Sequence, residues 1–535
     1  MIRNPILRGF NPDPSICRVG EDYFIATSTF EWYPGVQIHH SRDLANWRLV
    51  TRPLSRASQL DLRGEPDSCG VWAPCLSYAD GKFWLVYTDV KRFDGDFKDA
   101  HNYIVTAPDI AGPWSEPTYV NSSGFDPSLF HDDGGRKWFL NMVWNHRSYA
   151  GAHLRHSAFL GICLQEWDAK AGQLVGTPRS IFAGSSHGLV EGPHLFKRDG
   201  WYYLTTAEGG TGYEHAVTMA RARDIGGPYA LHPNLHLLTS KDAPEAALQR
   251  AGHGQIVETP DGDVYHTHLC SRPLPDLRRS PLGRETALQK CIWREDGWLY
   301  LAEGGQAPAL AVEAPGASAR SPEPHNYVFS PDAGLPLDFQ WLRTPHPERI
   351  WSLTERPGWL RLIARESIGS WFEQALVARR QEDFTYRAET ELEFQPENFQ
   401  QAAGLTAYYN RHKFLALAIT WDETLGRSLV VLGCLGDYPE GRLSFPTAPI
   451  AIEEGPIQLA ISVHGAALQF QYALKDGLWC DAGPVLDASV LSDEAGGGEH
   501  RSFTGAFVGM FAFDVSGGAI PADFARFGYR NFDET

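Results

Sequence analysis

Over roughly the first 300 residues the chain repeats one pattern of apolar and polar positions. A short apolar strand runs into a Gly/Asp turn and returns as an aromatic-rich strand. Asp13-Pro14-Ser15-Ile16-Cys17 passes through Val19-Gly20-Glu21-Asp22 into Tyr23-Phe24-Ile25-Ala26. Trp72-Ala73-Pro74-Cys75-Leu76, Asp126-Pro127-Ser128-Leu129-Phe130, Glu191-Gly192-Pro193-His194-Leu195 and His253-Gly254-Gln255-Ile256-Val257 open four further units of the same form. Turns of the Asp-Gly type between strand-forming residues predict hairpins. Counted at lead residues 13, 73, 126, 191 and 253, the period is near 60. Five units at that period predict a five-bladed β-propeller over residues 1–305, its blades being four-stranded sheets around a central channel.

The pattern then changes. An Ala/Gly/Pro/Ser-rich stretch within Ala302–Pro324 predicts a linker at 306–325. Beyond it Tyr386, Ala388, Thr390, Leu392 and Phe394 alternate with charged residues, a period-2 strand with one wet face. Similar runs at 404–409, 414–421, 428–432, 457–463, 468–474 and 505–513 predict an antiparallel β-sandwich over 326–535. No helix of convincing length is expected, so the fold class is all-β.

Composition narrows the function. Sixty-five acidic against 47 basic residues give a net charge of −18, which disfavours nucleic acid, anionic membranes and polyanionic substrates. A neutral small-molecule ligand fits better. No apolar run reaches the ~18 residues of a membrane span. The eight cysteines show no metal or disulfide spacing. With no apolar signal segment in the first residues, a cytoplasmic location is expected.

The repeat register also gathers chemistry. Innermost propeller strands line the channel, so Asp13, Ala73 (beside Trp72), Asp126, Glu191 and His253 are expected to converge there. Like charges in one site cost free energy and push pKa values apart, so such a cluster points to chemistry or a metal. Other motifs carry less. Gly184-Ser185-Ser186-His187-Gly188 matches a nucleophile elbow, but Gly192-Pro193 breaks the helix that motif requires. The glycine-rich 207–212 stretch reads as a loop, and His266-x-His268-x-Cys270 as buried structure lacking a distant fourth ligand.

Asn11-Pro12-Asp13-Pro14-Ser15, Ser28-Thr29-Phe30-Glu31-Trp32-Tyr33-Pro34-Gly35-Val36, Gly124-Phe125-Asp126-Pro127-Ser128, Glu191-Gly192-Pro193-His194-Leu195 and Pro281-Leu282-Gly283-Arg284-Glu285-Thr286 closely resemble the β-xylosidases of glycoside hydrolase family 43. Val377-Ala378-Arg379-Arg380-Gln381 and Phe503-Thr504-Gly505-Ala506-Phe507 carry the resemblance into the second domain. It implies a five-bladed propeller followed by a concanavalin-like β-sandwich that helps complete the active-site pocket. It implies Asp13 as general base, Glu191 as general acid and Asp126 as the carboxylate that orients and tunes the acid. Arg284, Phe30, Trp72, Ala73, Trp144, His253 and Phe503 are implied to bind substrate. His253 is also the implied ligand of a divalent cation, calcium at the axis, though none is required. The implied reaction is inverting, exo-acting release of xylose from β-1,4-xylo-oligosaccharides by a homo-oligomer, a dimer or tetramer. α-L-Arabinofuranosidase action, as side or main activity, and a catalytically silent sugar-binding propeller are the alternatives.

Overall fold

The computed structural model describes residues 1–93, 95–147, 158–314, 324–474, 477–495 and 502–532. The five repeats form five antiparallel sheets, each ordered as it is met along the chain. The first blade is Ser15–Val19, Asp22–Thr27, Gln37–Ser41 and Arg48–Thr51; the second is Gly70–Ala79, Lys82–Arg92, Asp99–Ala107 and Thr118–Asn121. The third is Ser128–His131, Lys137–Trp144, Phe159–Asp168 and Gln173–Phe182, and the fourth Glu191–Arg198, Trp201–Glu208, Ala216–Ala222 and Ala230–Thr239. In the fifth, Gln249–Gly252 and Ile256–Glu258 both pair with Val264–Ser271, followed by Glu285–Trp293 and Leu299–Leu301. The leading strands meet across blades: the Ser15 hydroxyl donates to Gln255 Oε1 at 2.7 Å and accepts from the Leu76 N–H at 2.9 Å.

The ring is closed by the N-terminal segment. Ile2–Arg3 pairs with Ala311–Val312, inside the stretch expected as a linker, of which residues 315–323 lie outside those described. The Asn4 amide donates to the carbonyls of Leu288 and Ala309 at 2.8 and 2.9 Å and accepts from the Leu288 N–H. Buried Ile2 and Leu7 pack there with Leu288 and Val312.

The second domain is two sheets face to face, as the alternation predicts. Thr385–Glu393 alternates buried and half-buried residues along its length. The larger sheet runs Trp351–Ser352, Leu360–Ile363, Pro521–Asn531, Thr385–Glu393, Ile457–His464, Ala467–Ala473 and Trp479–Asp481. The other runs Ile450–Ala451, Gly426–Leu435, Lys413–Asp422, Gln401–Asn410, Phe507–Asp514, Ala375–Arg380 and Gln340–Leu342. Its last neighbour is Trp32–Tyr33, a strand lent by the first propeller blade. Gln401–Asn410 is buried at every position, so this sheet has no wet face there. Its outer side packs on the propeller, where Phe10, Phe30, Trp32 and Trp72 share one core with Leu342, Ala378, Tyr408 and Phe507. Among the described residues no helix is long and apolar enough to cross a membrane.

Trp32 anchors this seam. It is fully buried, and its ring stacks on Phe507 with centroids 3.7 Å apart and planes 11° from parallel. Trp32→Ala is expected to destabilise the protein by about 3–5 kcal/mol. A lower urea midpoint checks this; an unchanged midpoint would mean the seam adds no stability.

Candidate active site

At or near the start of each leading strand the backbone is unusual. Asp13, Ala73, Asp126 and His253 have φ of 56°, 39°, 54° and 42°, the left-handed region. Side chains other than glycine reach it at a cost of roughly 1–3 kcal/mol, and such residues cluster at functional sites. In three of these blades a proline follows (Pro14, Pro74, Pro127), which keeps the preceding residue out of the right-handed helical region. In the fourth blade the turn falls at Gly192, φ 56°, with Pro193 behind it. This corrects the sequence register: Glu191 sits one residue before the axial position. It is therefore equivalent to Trp72 and Phe125, not to Asp13 and Asp126. The reason is steric. A β-carbon at Gly192 would lie 2.8 Å from the His253 ring, so this turn leaves room for the imidazole and the acid enters from beside it.

One cavity gathers Asp13, Asp126, Glu191, His253 and Arg284, with Phe30, Trp72, Trp144 and Phe503 as walls. Ala73 does not line it; its N–H donates to the Ser28 hydroxyl at 2.8 Å, which donates to Asp13 Oδ2 at 2.7 Å. Lys98, Phe125, Phe159, Leu189, Gly210, Thr211 and His215 also line the cavity, and sequence reasoning assigned none of them. Phe125 was within reach, because it stands to Asp126 as Trp72 stands to Ala73. Gly210 and Thr211 belong to the stretch read as a plain loop. Lys98, whose ammonium lies 4.4 Å over the Trp144 ring, arrives on a connection between strands and leaves no repeat signal.

The three carboxyls are all buried, but their partners differ. Asp13 accepts from Arg284 Nη1 at 3.2 Å and from Ser28, and its Oδ1 lies 3.4 Å from His253 Nδ1. Burial would raise its pKa, but Arg284, His253 and Ser28 outweigh burial and hold it well below the usual carboxylate range. Among the described residues Asp126 has one backbone donor, the Gly192 N–H at 3.1 Å. Burial pushes it up to about 6, opposed by His253 and aided by the Asp13 charge. Glu191 is pushed up to about 8, first by burial and then by Asp126. Burial opposes charge on His253, yet Asp13, Asp126 and Glu191 raise its pKa. At neutral pH one carboxyl is thus held ionised and another protonated in the same cavity.

The Ser185 and His266 motifs stay outside this chemistry. Ser185 bonds Glu208 through its N–H, at 2.7 Å, and its hydroxyl, in the loop that precedes Glu191–Arg198. His266, His268 and Cys270 are buried in the fifth blade. Among the described residues no three of His, Cys, Asp and Glu converge as a metal site. Calcium takes six to eight oxygen ligands. The axial position offers the His253 imidazole, beside an Asp13 already engaged by Ser28 and Arg284. This donor set does not build a protein cage for calcium.

Residues 2–299 match glycosyl hydrolases family 43, and residues 327–530 match the beta xylosidase C-terminal concanavalin A-like domain. The chain is 59% identical to xylosidase/arabinosidase 43B of Humicola insolens, over 99% of this chain and 97% of that one. It is 49% identical to the beta-xylosidase of Bacillus subtilis, over 99% of both. The crystal structure of xylan beta-1,4-xylosidase from Bacillus halodurans superposes with a TM-score of 0.95 at 49% identity, covering 99% of this chain and all of that one.

Gly192→Ala tests the axial packing. A β-carbon there meets the His253 ring and must also hold a left-handed φ. The variant is expected to lose about 1–3 kcal/mol of stability by urea unfolding. An unchanged midpoint would mean that ring and turn have room to adjust.

Proposed function

The chain belongs to glycosyl hydrolase family 43, and from that premise we propose that it is an inverting, exo-acting β-xylosidase cleaving single xylose units from the non-reducing ends of β-1,4-xylo-oligosaccharides. The observation that carries this reading is that Asp13 and Glu191 line one cavity with unequal partners, Arg284, His253 and Ser28 all lying on Asp13. Asp13, kept ionised by Arg284, His253 and Ser28, takes a proton from water. The water oxygen attacks the anomeric carbon as the glycosidic C–O bond breaks. Glu191, kept protonated by burial and by Asp126, gives its proton to the departing oxygen. Xylose leaves with its anomeric configuration inverted, and solvent returns the two carboxyls to their starting states.

Asp126 has two roles in this reading. Its charge supports the proton on Glu191, and its Oδ2 accepts the Gly192 N–H, fixing the peptide that follows the acid. Phe503, from the sandwich, closes one side of the cavity against Phe30, Trp72 and Phe93, with ring centroids 6.4, 5.9 and 5.3 Å away. A closed side makes a pocket for a chain end instead of a cleft for a chain middle. Among the described residues no cysteine joins a disulfide and six of the eight are buried, which supports a reducing, intracellular setting. Association into a homo-oligomer is part of the same reading, and light scattering in solution tests it. The name of the Humicola insolens relative carries both activities, which favours arabinofuranosidase action as a second activity of the same pocket. Paired aryl xyloside and arabinofuranoside assays rank the two.

Proton NMR of xylotriose hydrolysis tests the reaction itself. Free α-xylose is expected first, with xylobiose as co-product. β-Xylose appearing first would overturn inversion, and internal fragments of long xylan without free xylose would overturn exo action. Glu191→Ala is expected to lower kcat/KM on xylobiose by about 10²–10⁴-fold. A nitrophenyl xyloside, whose leaving group needs little protonation, should lose roughly tenfold at most. Equal losses would remove Glu191 as the acid.

The pH profile follows from the same assignment. Activity needs ionised Asp13 and protonated Glu191, so it falls on the basic side as Glu191 loses its proton near pH 8. Asp126→Asn removes one cause of that raised pKa and leaves burial, so the basic limb of kcat/KM should move towards acid. A limb that stays in place would mean Asp126 does not tune the acid.

A further inference from the structure

Ser68 lies outside the cavity, yet each of its polar groups is engaged with the cavity's surroundings. Its N–H donates to Glu31 Oε2 at 3.1 Å, on the residue after Phe30. Its carbonyl accepts from the Trp72 indole N–H at 3.0 Å. Its hydroxyl accepts from the Phe503 N–H, also at 3.0 Å. Ser68 is 2% exposed and has φ 63°, a left-handed conformation that a serine holds only when its surroundings require it. Glu31, its partner, is buried and its carbonyl accepts from the Arg343 N–H of the sandwich at 3.0 Å, while Asp67, the residue before Ser68, pairs with Arg343 at 2.7 Å.

Phe503 needs such an anchor. Residues 502–506 belong to no sheet, so no strand ladder fixes their backbone. The Phe503 carbonyl accepts from Arg284 Nη2 at 2.9 Å, and the Thr504 N–H donates to the Tyr409 hydroxyl at 3.0 Å. On the propeller's side of the aromatic wall the Phe503 N–H has Ser68 Oγ as its acceptor. Removing that oxygen would leave a half-buried N–H to seek water, and the ring would drift from Trp72 and Phe93.

We propose that Ser68 is a positioning residue that fixes the aromatic wall of the sugar pocket by tying Trp72 of the propeller to Phe503 of the sandwich. The proposal rests on the reading of this cavity as a xyloside pocket. Apolar contact with a sugar face is made alike in the ground and transition states, so loosening the wall weakens uniform binding. KM then rises while kcat holds.

Two variants with xylobiose as substrate test this. Ser68→Gly deletes only the side chain, keeps both main-chain bonds and suits φ 63°. Its KM is expected to rise about tenfold with kcat within about twofold, since roughly one hydrogen bond is lost. Its Tm should stay within about 2 °C of wild type, because relief of the left-handed strain offsets that loss. Ser68→Ala loses the same hydroxyl but keeps the strain, so its KM should rise alike while its Tm falls. A shared KM effect with different Tm values separates positioning from stability. KM values within twofold of wild type in both variants would overturn the proposal, as would kcat and Tm falling together in Ser68→Gly or a failure of that variant to fold. A wild-type enzyme inactive on xylosides would overturn the functional reading and this proposal with it, whereas an active wild type with an unaltered Ser68→Gly overturns this proposal alone.

Discussion

Asp13, Asp126 and Glu191 carry like charges into one cavity where little water can screen them, and three buried carboxyls this close cannot all stay ionised. The surroundings settle which one does. Arg284, His253 and Ser28 all serve Asp13, while Asp126 has one backbone donor and Glu191 gains a second burden from the charge of Asp126. The division of labour between base and acid is therefore a matter of unequal partners on one type of side chain. Arg284 is central to it, since the same guanidinium also holds the Phe503 carbonyl. The sandwich thus touches the electrostatics of the base as well as the shape of the pocket.

Bringing these groups together constrains the backbone. The residues that reach the axis do so from left-handed turns, at Asp13, Asp126 and His253, and the pocket-lining Phe30 and Leu189 share that conformation. Strain of this kind persists only in a surround that leaves no alternative. Five sheets closed by Asn4 and the Ile2–Arg3 pair supply part of it. The seam with the sandwich supplies the rest, through the Trp32–Tyr33 strand and the Trp32–Phe507 stack. A sheet that could have presented a free face is instead occupied by the propeller. The second domain is better described as a wall of the active site than as an appended binding module.

Much of the architecture is legible in the chain, because repetition and alternation are local properties. Turn chemistry at a period near 60 was enough for five blades, and Tyr386–Phe394 alternation was enough for a sandwich strand. Asp13, Asp126 and His253 could be placed at the axis because each heads the same repeated unit. For Glu191 the repeat hides a one-residue slip at the Gly192 turn, which takes the acid off the axial register. That slip could be seen only in the backbone, where φ marks the turn and the His253 ring shows why a glycine occupies it. Lys98, Thr211 and His215 reach the cavity from connections that carry no period, and Ala73, expected at the sugar, acts through its N–H. Folding alone brings together residues hundreds of positions apart: Arg284 on Asp13, Ser68 on Phe503, Trp32 on Phe507. These determine which carboxyl is charged and how the pocket closes, because a pKa and a cavity wall depend on neighbours in space, and the order of residues along a chain does not name them.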